Sequence, residues 1–253
     1  MADGAELMRA EGCAAGYGRR AIVSDVSFSV HGGDVLGLLG ANGSGKSTLL
    51  RALTGQIGLQ EGDVTIGGVG LRRDPERAKR GFGYAVDGAE LPLSLTGADY
   101  LELVASIRGC GARAWPSGDA LAALGTRGWL TVPLGACSLG TRAKFSIAAA
   151  LLGGPPLAIF DESLNGLDPV AAWQAKRLIA AFVESGERAV ILSSHVLETV
   201  AQVCNRAVFL SAGTVSHEWD RGAFAAAQGR ADGFEGAVME ALLAAPEDRP
   251  SRS

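Results

Sequence analysis

Cysteine is scarce and scattered: Cys13, Cys110, Cys137 and Cys204 stand far apart with no C-x-x-C or C-x-H spacing. That argues against a zinc site and against the disulfide framework of a small secreted domain, so reduced thiols in a cytosol are expected. Basic charge is in deficit, 23 Lys and Arg against 27 Asp and Glu for a net charge of −4, so no cationic surplus points to a nucleic-acid backbone. The first eight residues include Asp3 and Glu6 and no apolar stretch, and no secretory signal is expected there. The longest apolar tract, residues 146–160, is interrupted by Gly153-Gly154-Pro155-Pro156 and falls short of the roughly 20 residues that span a bilayer. A membrane role would have to come through a partner. No repeat with a period of about 20 to 50 residues is visible.

The apolar content, by contrast, is ample. With 47% of residues hydrophobic and 20% charged, the chain can bury a core and lacks the composition of a disordered polymer. Its 253 residues allow one large domain or two small ones, at roughly 100 to 200 residues per domain. Val26, Phe28 and Val30 alternate with serines and read as a half-buried strand, whereas the run Val35-Leu36-Gly37-Leu38-Leu39 reads as a strand covered on both faces. Three later runs, 157–160, 189–193 and 207–210, repeat the second pattern, which predicts an α/β core with a mostly parallel sheet. Helices are predicted over 46–53, 139–152 and 170–183, stopping at Gly55, Gly153-Gly154 and Gly186; in the last, Asp168 is placed to cap and Pro169 to open the helix. The segment 62–68 reads as a strand and turn, so an antiparallel layer is expected beside the parallel one. Residues 88–152 contain no convincing strand and several helical stretches, one over 99–108 behind Thr96, and read as a helical insert. The domain assignment is therefore 1–225 with that insert, followed by an extension over 226–253. From Ala225 onward, alanine and glycine grade into Pro246-Glu247-Asp248-Arg249-Pro250, a composition expected to add little to a core and to end in a frayed tail.

The sharpest motif is Gly40-Ala41-Asn42-Gly43-Ser44-Gly45-Lys46-Ser47-Thr48, a complete G-x-x-x-x-G-K-[ST] between a buried strand and a helix. With 36 Gly, 4 Lys and 27 Ser or Thr in the chain, chance alone predicts about 0.01 matches. Glycines let successive N–H groups converge on phosphate oxygens, and the helix N-terminus adds positive potential. Lys46 would meet the β and γ phosphates of a nucleoside triphosphate as a point charge, and the Ser47 hydroxyl would ligate Mg²⁺. A second element, Leu157-Ala158-Ile159-Phe160-Asp161-Glu162, is an apolar strand ending in two carboxylates. Asp161 is placed to orient Mg²⁺ and Glu162 to polarise an attacking water, at the carboxyl end of a strand where ligands of such sheets bind. The fold class is accordingly α/β, a P-loop NTPase parallel-sheet core with a flanking antiparallel β layer and an inserted helical subdomain.

Taken together these elements resemble the ATP-binding subunits of ABC transporters. Cys137-Ser138-Leu139-Gly140-Thr141 occupies the place of that family's signature, Asn165-Gly166-Leu167-Asp168 looks like the D-loop, His195 looks like the switch histidine and Tyr17 resembles the aromatic that stacks on adenine. The resemblance covers about residues 7–217 in the family's order. It implies that ATP and Mg²⁺ bind at residues 40–48, that Ser138, Leu139, Gly140 and Thr141 of one copy close over the ATP of another with Asp168 at the contact, and that Glu162 and His195 act on the γ-phosphate. It further implies a homo- or heterodimer on the cytoplasmic face, held to the membrane by a membrane-spanning partner that docks on the insert around residues 87–108, with export favoured by the relaxed signature. A soluble ABC-type switch ATPase and a hydrolysis-poor binding module are the alternatives. One departure stands out: where the family carries a glutamine after a Gly-Tyr strand, this chain reads Gly83-Tyr84-Ala85-Val86-Asp87, and no Gln occurs between Gln60 and Gln174. Asp87 would meet the metal there as an acceptor only.

Overall fold

The run 35–39, apolar throughout, forms a strand buried at all five residues, and the remainder of the chain is arranged around it. The structure is a computed structural model describing residues 4–110 and 120–244. In chain order the strands are β1 (Glu6–Tyr17), β2 (Arg20–His31), β3 (Val35–Leu39), β4 (Leu59–Ile66), β5 (Val69–Gly70), β6 (Phe82–Ala85), β7 (Leu157–Asp161), β8 (Ala189–Ser193), β9 (Arg206–Ser211) and β10 (Thr214–Trp219). The helices are α1 (Lys46–Leu53), α2 (Pro75–Lys79), α3 (Gly97–Arg108), α4 (Ala120–Ala123), α5 (Leu139–Leu151), α6 (Pro169–Val183), α7 (Leu197–Val203), α8 (Arg221–Gln228) and α9 (Gly233–Ala244).

Two sheets form, in the orders β2-β1-β4-β5 and β10-β9-β3-β8-β7-β6. The first is antiparallel; in the second every pairing is parallel except β9 with β10. The period of two along each central strand sorts side chains between two cores. Leu36, Leu38, Leu157, Ile159, Ile191 and Val208 face the antiparallel sheet and α1. Val35, Leu39, Phe160, Val190, Leu192 and Phe209 face the helices on the other side. Gly37 belongs to that second face and is obligatory by contact rather than conformation, since a Cβ there would lie 2.6 Å from Val200 Cγ1.

Local signals set the helix ends. Thr96 and Asp99 form a reciprocal capping box, which starts α3 at Gly97, two residues before the predicted start. The carboxylate of Asp168 accepts from Ala171 N and Pro169 opens α6, as expected. Asp34, only 1% exposed, fastens the turn before β3 to the C-terminal third of the chain. Its carboxylate accepts from Arg206 Nη1 at 2.6 Å, from Arg221 Nη2 at 2.7 Å and from His31 N at 2.9 Å. A buried carboxylate is tolerable when charge and hydrogen bonds are both matched in this way.

The expectation that residues beyond Ala225 add little to a core is corrected for the described part of that segment. Phe234 and Val238 lie one turn apart on α9 and are buried in the helix-side core. The Phe234 ring centroid is 4.4 Å from that of Phe224 and 5.4 Å, edge-on, from that of Trp219. Two large apolar residues at i and i+4 suffice to dock a helix whose mean composition reads as bland. The predicted tail, residues 245–253, lies outside the described residues. Replacing Phe234 by Ala should cost about 3 to 5 kcal/mol in urea unfolding; a loss under about 1 kcal/mol would show that α9 does not contribute to the core.

Candidate active site

Between β3 and α1 the backbone wraps tightly, and glycine is what permits it. A Cβ at Gly40 would lie 2.4 Å from Ser44 Oγ and 2.5 Å from Leu210 O, while Gly45 has φ +103° and leaves room for Val23, whose Cγ1 would sit 2.6 Å from any Cβ. Gly45 is also the N-cap of α1 and supplies no side-chain acceptor, so N–H groups of the first turn are left to face a ligand. Lys46 is only 5% exposed; its Nζ donates to Gly40 O at 2.8 Å and Ala41 O at 3.2 Å and lies 3.7 Å from Glu162 Oε1. Its charge is thus held at the centre of the turn. Beside it opens a cleft of about 390 Å³, walled by Tyr17, Ile22, Asn42, Gly43, Lys46 and Glu162, with Gly45, Ser47 and Thr48 completing it. That volume falls in the range of small-molecule sites.

The carboxylates at the end of β7 meet this turn from the neighbouring strand position but one. Asp161 is in register with Ser193 at the end of β8, and the Ser193 hydroxyl donates to Asp161 Oδ1 at 2.7 Å. Ser47 Oγ donates to the same oxygen at 3.3 Å, and the Tyr84 hydroxyl donates to Oδ2 at 3.1 Å. Burial, reinforced by the adjacent Asp161 charge, raises the Tyr84 phenol well above its ordinary range and keeps it a donor. A hydroxyl and a carboxylate facing one another are the hard oxygen donors that Mg²⁺ accepts alongside phosphate oxygens and water. Ser47 and Asp161 supply donors of that kind. Among the described residues no group of three or more His, Cys, Asp or Glu could hold a metal ion.

Glu162 departs from β geometry at φ +49°, a conformation that costs a non-glycine residue about 1 to 2 kcal/mol. Two bonds hold it there: Glu162 N donates to Ser193 Oγ at 2.9 Å and Asn165 N donates to Glu162 O at 3.0 Å. The strain turns the side chain out of the sheet and toward the cleft. One carboxylate oxygen then faces Lys46, and the other lies 3.3 Å from both His195 Nδ1 and Asn165 Nδ2. An acid flanked by a lysine, an imidazole and an amide has the surroundings of a base held in one orientation.

Other residues read from the sequence stand elsewhere. Ser138 is exposed at the start of α5, where its Oγ accepts from Thr141 N at 3.1 Å; Leu139 is half exposed beside it, and none of Ser138, Leu139, Gly140 and Thr141 lines the cleft. Gly140 lies against the loop before α6, since a Cβ there would approach Gly166 O to 3.2 Å. Asp168 pairs with Lys144 at 2.8 Å, which together with its capping bond holds its carboxyl below the usual range. Asp87 turns into its own backbone: Oδ1 accepts from Ala89 N at 2.8 Å and caps the short turn 88–90. Among the described residues it has no hydrogen bond to Ser47 or Asp161. Three participants went unassigned in the sequence reading, Ser193, Tyr84 and Ile22. Ser193 carried a usable signal, a polar residue closing an otherwise apolar buried strand in step with Asp161; Ile22 carried none.

The profile of the family described as ABC transporter matches residues 23–165. An uncharacterized ABC transporter ATP-binding protein of Bacillus subtilis, YdbJ, is 31% identical over 212 residues, which span 84% of this chain and 68% of that protein. The human phospholipid-transporting ATPase ABCA7 is 33% identical over 190 residues, 74% of this chain. The chain spans only 9% to 13% of the length of the human relatives it matches. Among solved structures, an ATP-binding subunit of an ABC transporter superposes with a TM-score of 0.84 at 28% identity, covering 93% of this chain and 99% of that one. The dimeric cassette MJ0796 bound to ADP and Pi superposes at 0.73 over 85% of this chain and 99% of that one; at 20% identity it speaks to the fold alone. The glycine turn around Lys46, the carboxylate pair behind it and these likenesses lead to one assignment: the chain belongs to the ABC transporter family, as an ATP-binding module.

Proposed function

We propose that the chain binds ATP across residues 40–48 and hydrolyses it to drive a separate membrane-spanning partner. The observation that carries this reading is the meeting of Lys46 and Glu162 in one cleft beside the Ser47 and Asp161 pair, with His195 Nδ1 3.3 Å from Glu162 Oε2. Tyr17, more than half exposed at the cleft wall, offers its ring to the base. Backbone amides of the turn and the first turn of α1 receive the phosphates, and Lys46 spreads its charge over the bridging and terminal oxygens. Ser47 and Asp161 would hold magnesium, which when bound would supply charge neutralisation at the phosphates. Glu162 accepts a proton from the attacking water, and His195, 3.3 Å away, keeps that carboxylate oriented and faces the terminal phosphate.

The signature residues explain why the site calls for a second copy or a related chain. Ser138 and Gly140 sit at the N-terminus of α5 outside their own cleft, which leaves them available to the ATP of another molecule. ATP contacted from both sides favours the closed pair, and loss of the γ-phosphate removes that preference. The pair would work on the cytoplasmic face, attached through the membrane partner; among the described residues no helix is long and apolar enough to cross a bilayer. The exposed Leu93, just before α3, and Ile107, within it, provide apolar surface in the region assigned to that partner. Export is the proposed direction, from the form of the 137–141 signature, and Asp87 is the proposed acceptor near the metal once its turn moves.

Two substitutions test the reading. Lys46→Ala should weaken binding of a fluorescent ATP analogue about 10- to 100-fold, the loss of a charge-assisted contact; unchanged affinity would remove the phosphates from this turn. Glu162→Gln should bind ATP, stop turning over and accumulate as a dimer in size-exclusion chromatography. A variant that stays monomeric with ATP and hydrolyses it at the parent rate would show that Glu162 is not the base.

A further inference from the structure

The family resemblance implies that Asp87 meets the metal, yet Asp87 spends its side chain on Ala89 N. The strand leading to it reaches the metal carboxylate by another route. Tyr84 pairs with Ile159 across the β6–β7 ladder, and its ring forms part of the wall of an outer groove of about 290 Å³ with Phe82, Val104, Ile107 and Arg108. From that wall the side chain passes inward, and its hydroxyl ends 3.1 Å from Asp161 Oδ2. Asp161 Oδ1 is engaged by Ser193 at 2.7 Å and Ser47 at 3.3 Å. Among the described residues, Tyr84 is the one donor to Oδ2. With one oxygen held from β8 and the other from β6, the carboxylate plane is fixed about its Cβ–Cγ bond.

We propose that Tyr84 is a positioning residue for magnesium-dependent catalysis, orienting the Asp161 carboxylate through its hydroxyl so that Oδ1 faces Ser47. The proposal rests on the assignment of Ser47 and Asp161 to the metal of bound ATP. Hydrogen bonds to a ligating carboxylate set its direction and basicity, and removing them commonly weakens metal affinity about 10- to 100-fold. A phenol suits the task because it donates one proton along a fixed line and adds no charge beside the phosphates. The ring has a separate job as groove wall and packing surface against the β-layer core. The two jobs separate cleanly in Tyr84→Phe, which keeps the ring and deletes the donor.

The test titrates mant-ATP fluorescence with Mg²⁺ in the parent protein and in Tyr84→Phe, with a second titration of mant-ATP in EDTA. The variant should bind mant-ATP in EDTA within about twofold of the parent, and should need about tenfold more Mg²⁺ for the half-maximal metal-dependent change. Steady-state turnover should show kcat lowered with KM for ATP at saturating Mg²⁺ near the parent value. Ser193→Ala, which removes the donor on the opposite oxygen, should shift the Mg²⁺ titration in the same direction. A Tyr84→Phe protein with a parent-like Mg²⁺ midpoint would overturn the proposal and leave Tyr84 a wall residue. A parent protein that fails to bind mant-ATP at all would instead overturn the assignment of the site, and the Tyr84 proposal with it.

Discussion

A buried lysine ammonium held by two carbonyl oxygens at the centre of a glycine turn is the constraint on which the remaining geometry depends. Lys46 Nζ draws Gly40 O and Ala41 O inward, and Ser44 N donates to Ala41 O at 3.1 Å, which closes the turn. A cation this buried is expensive unless it has partners. Here the partners are dipoles on one side and the Glu162 carboxylate, 3.7 Å away, on the other. A polyphosphate brings several oxygen acceptors to the same place, and the turn is preorganised to receive them because the sheet on one side and α1 on the other fix its ends.

The parallel strands bring chemistry to that turn by register. Asp161 and Ser193 end adjacent strands at the same level, and Ser193 then serves both acidic residues at once, donating to the Asp161 carboxylate and accepting from the Glu162 backbone N–H. One hydroxyl therefore couples Asp161 to the strained residue that follows it. The buried Asp34 cluster plays the corresponding part at the opposite end of β3, where Arg206 and Arg221 bind the turn to β9 and α8. Strain at Glu162 is sustained because Leu157–Phe160 of β7, which leads to it, and the whole of the neighbouring β8 are buried.

Much of this was legible before any coordinates. The all-apolar run at 35–39 and its three repeats identify central strands because only a strand covered on both faces dispenses with alternation. The helix caps Thr96 and Asp168 are readable because capping is local chemistry. The phosphate turn is readable because glycine positions and a single lysine are demanded by backbone geometry rather than by packing. Legibility fails where a contact joins distant segments. Nothing near Tyr84 announces that its hydroxyl meets a carboxylate 77 positions away, and nothing near Asp87 announces that its carboxylate turns back to Ala89. The docking of α9 was hidden for a related reason: Phe234 and Val238 act as a pair only against Phe224 and Trp219, and the alanine-rich background masks them.

The most direct measurement is a crystal structure of the wild-type protein with magnesium and a non-hydrolysable ATP analogue. The β and γ phosphate oxygens should lie within hydrogen-bond distance of the amides of residues 43–48 and of Lys46 Nζ, with the metal beside Ser47 and Asp161. A polyphosphate bound elsewhere, with the turn between β3 and α1 free of ligand under saturating conditions, would contradict it.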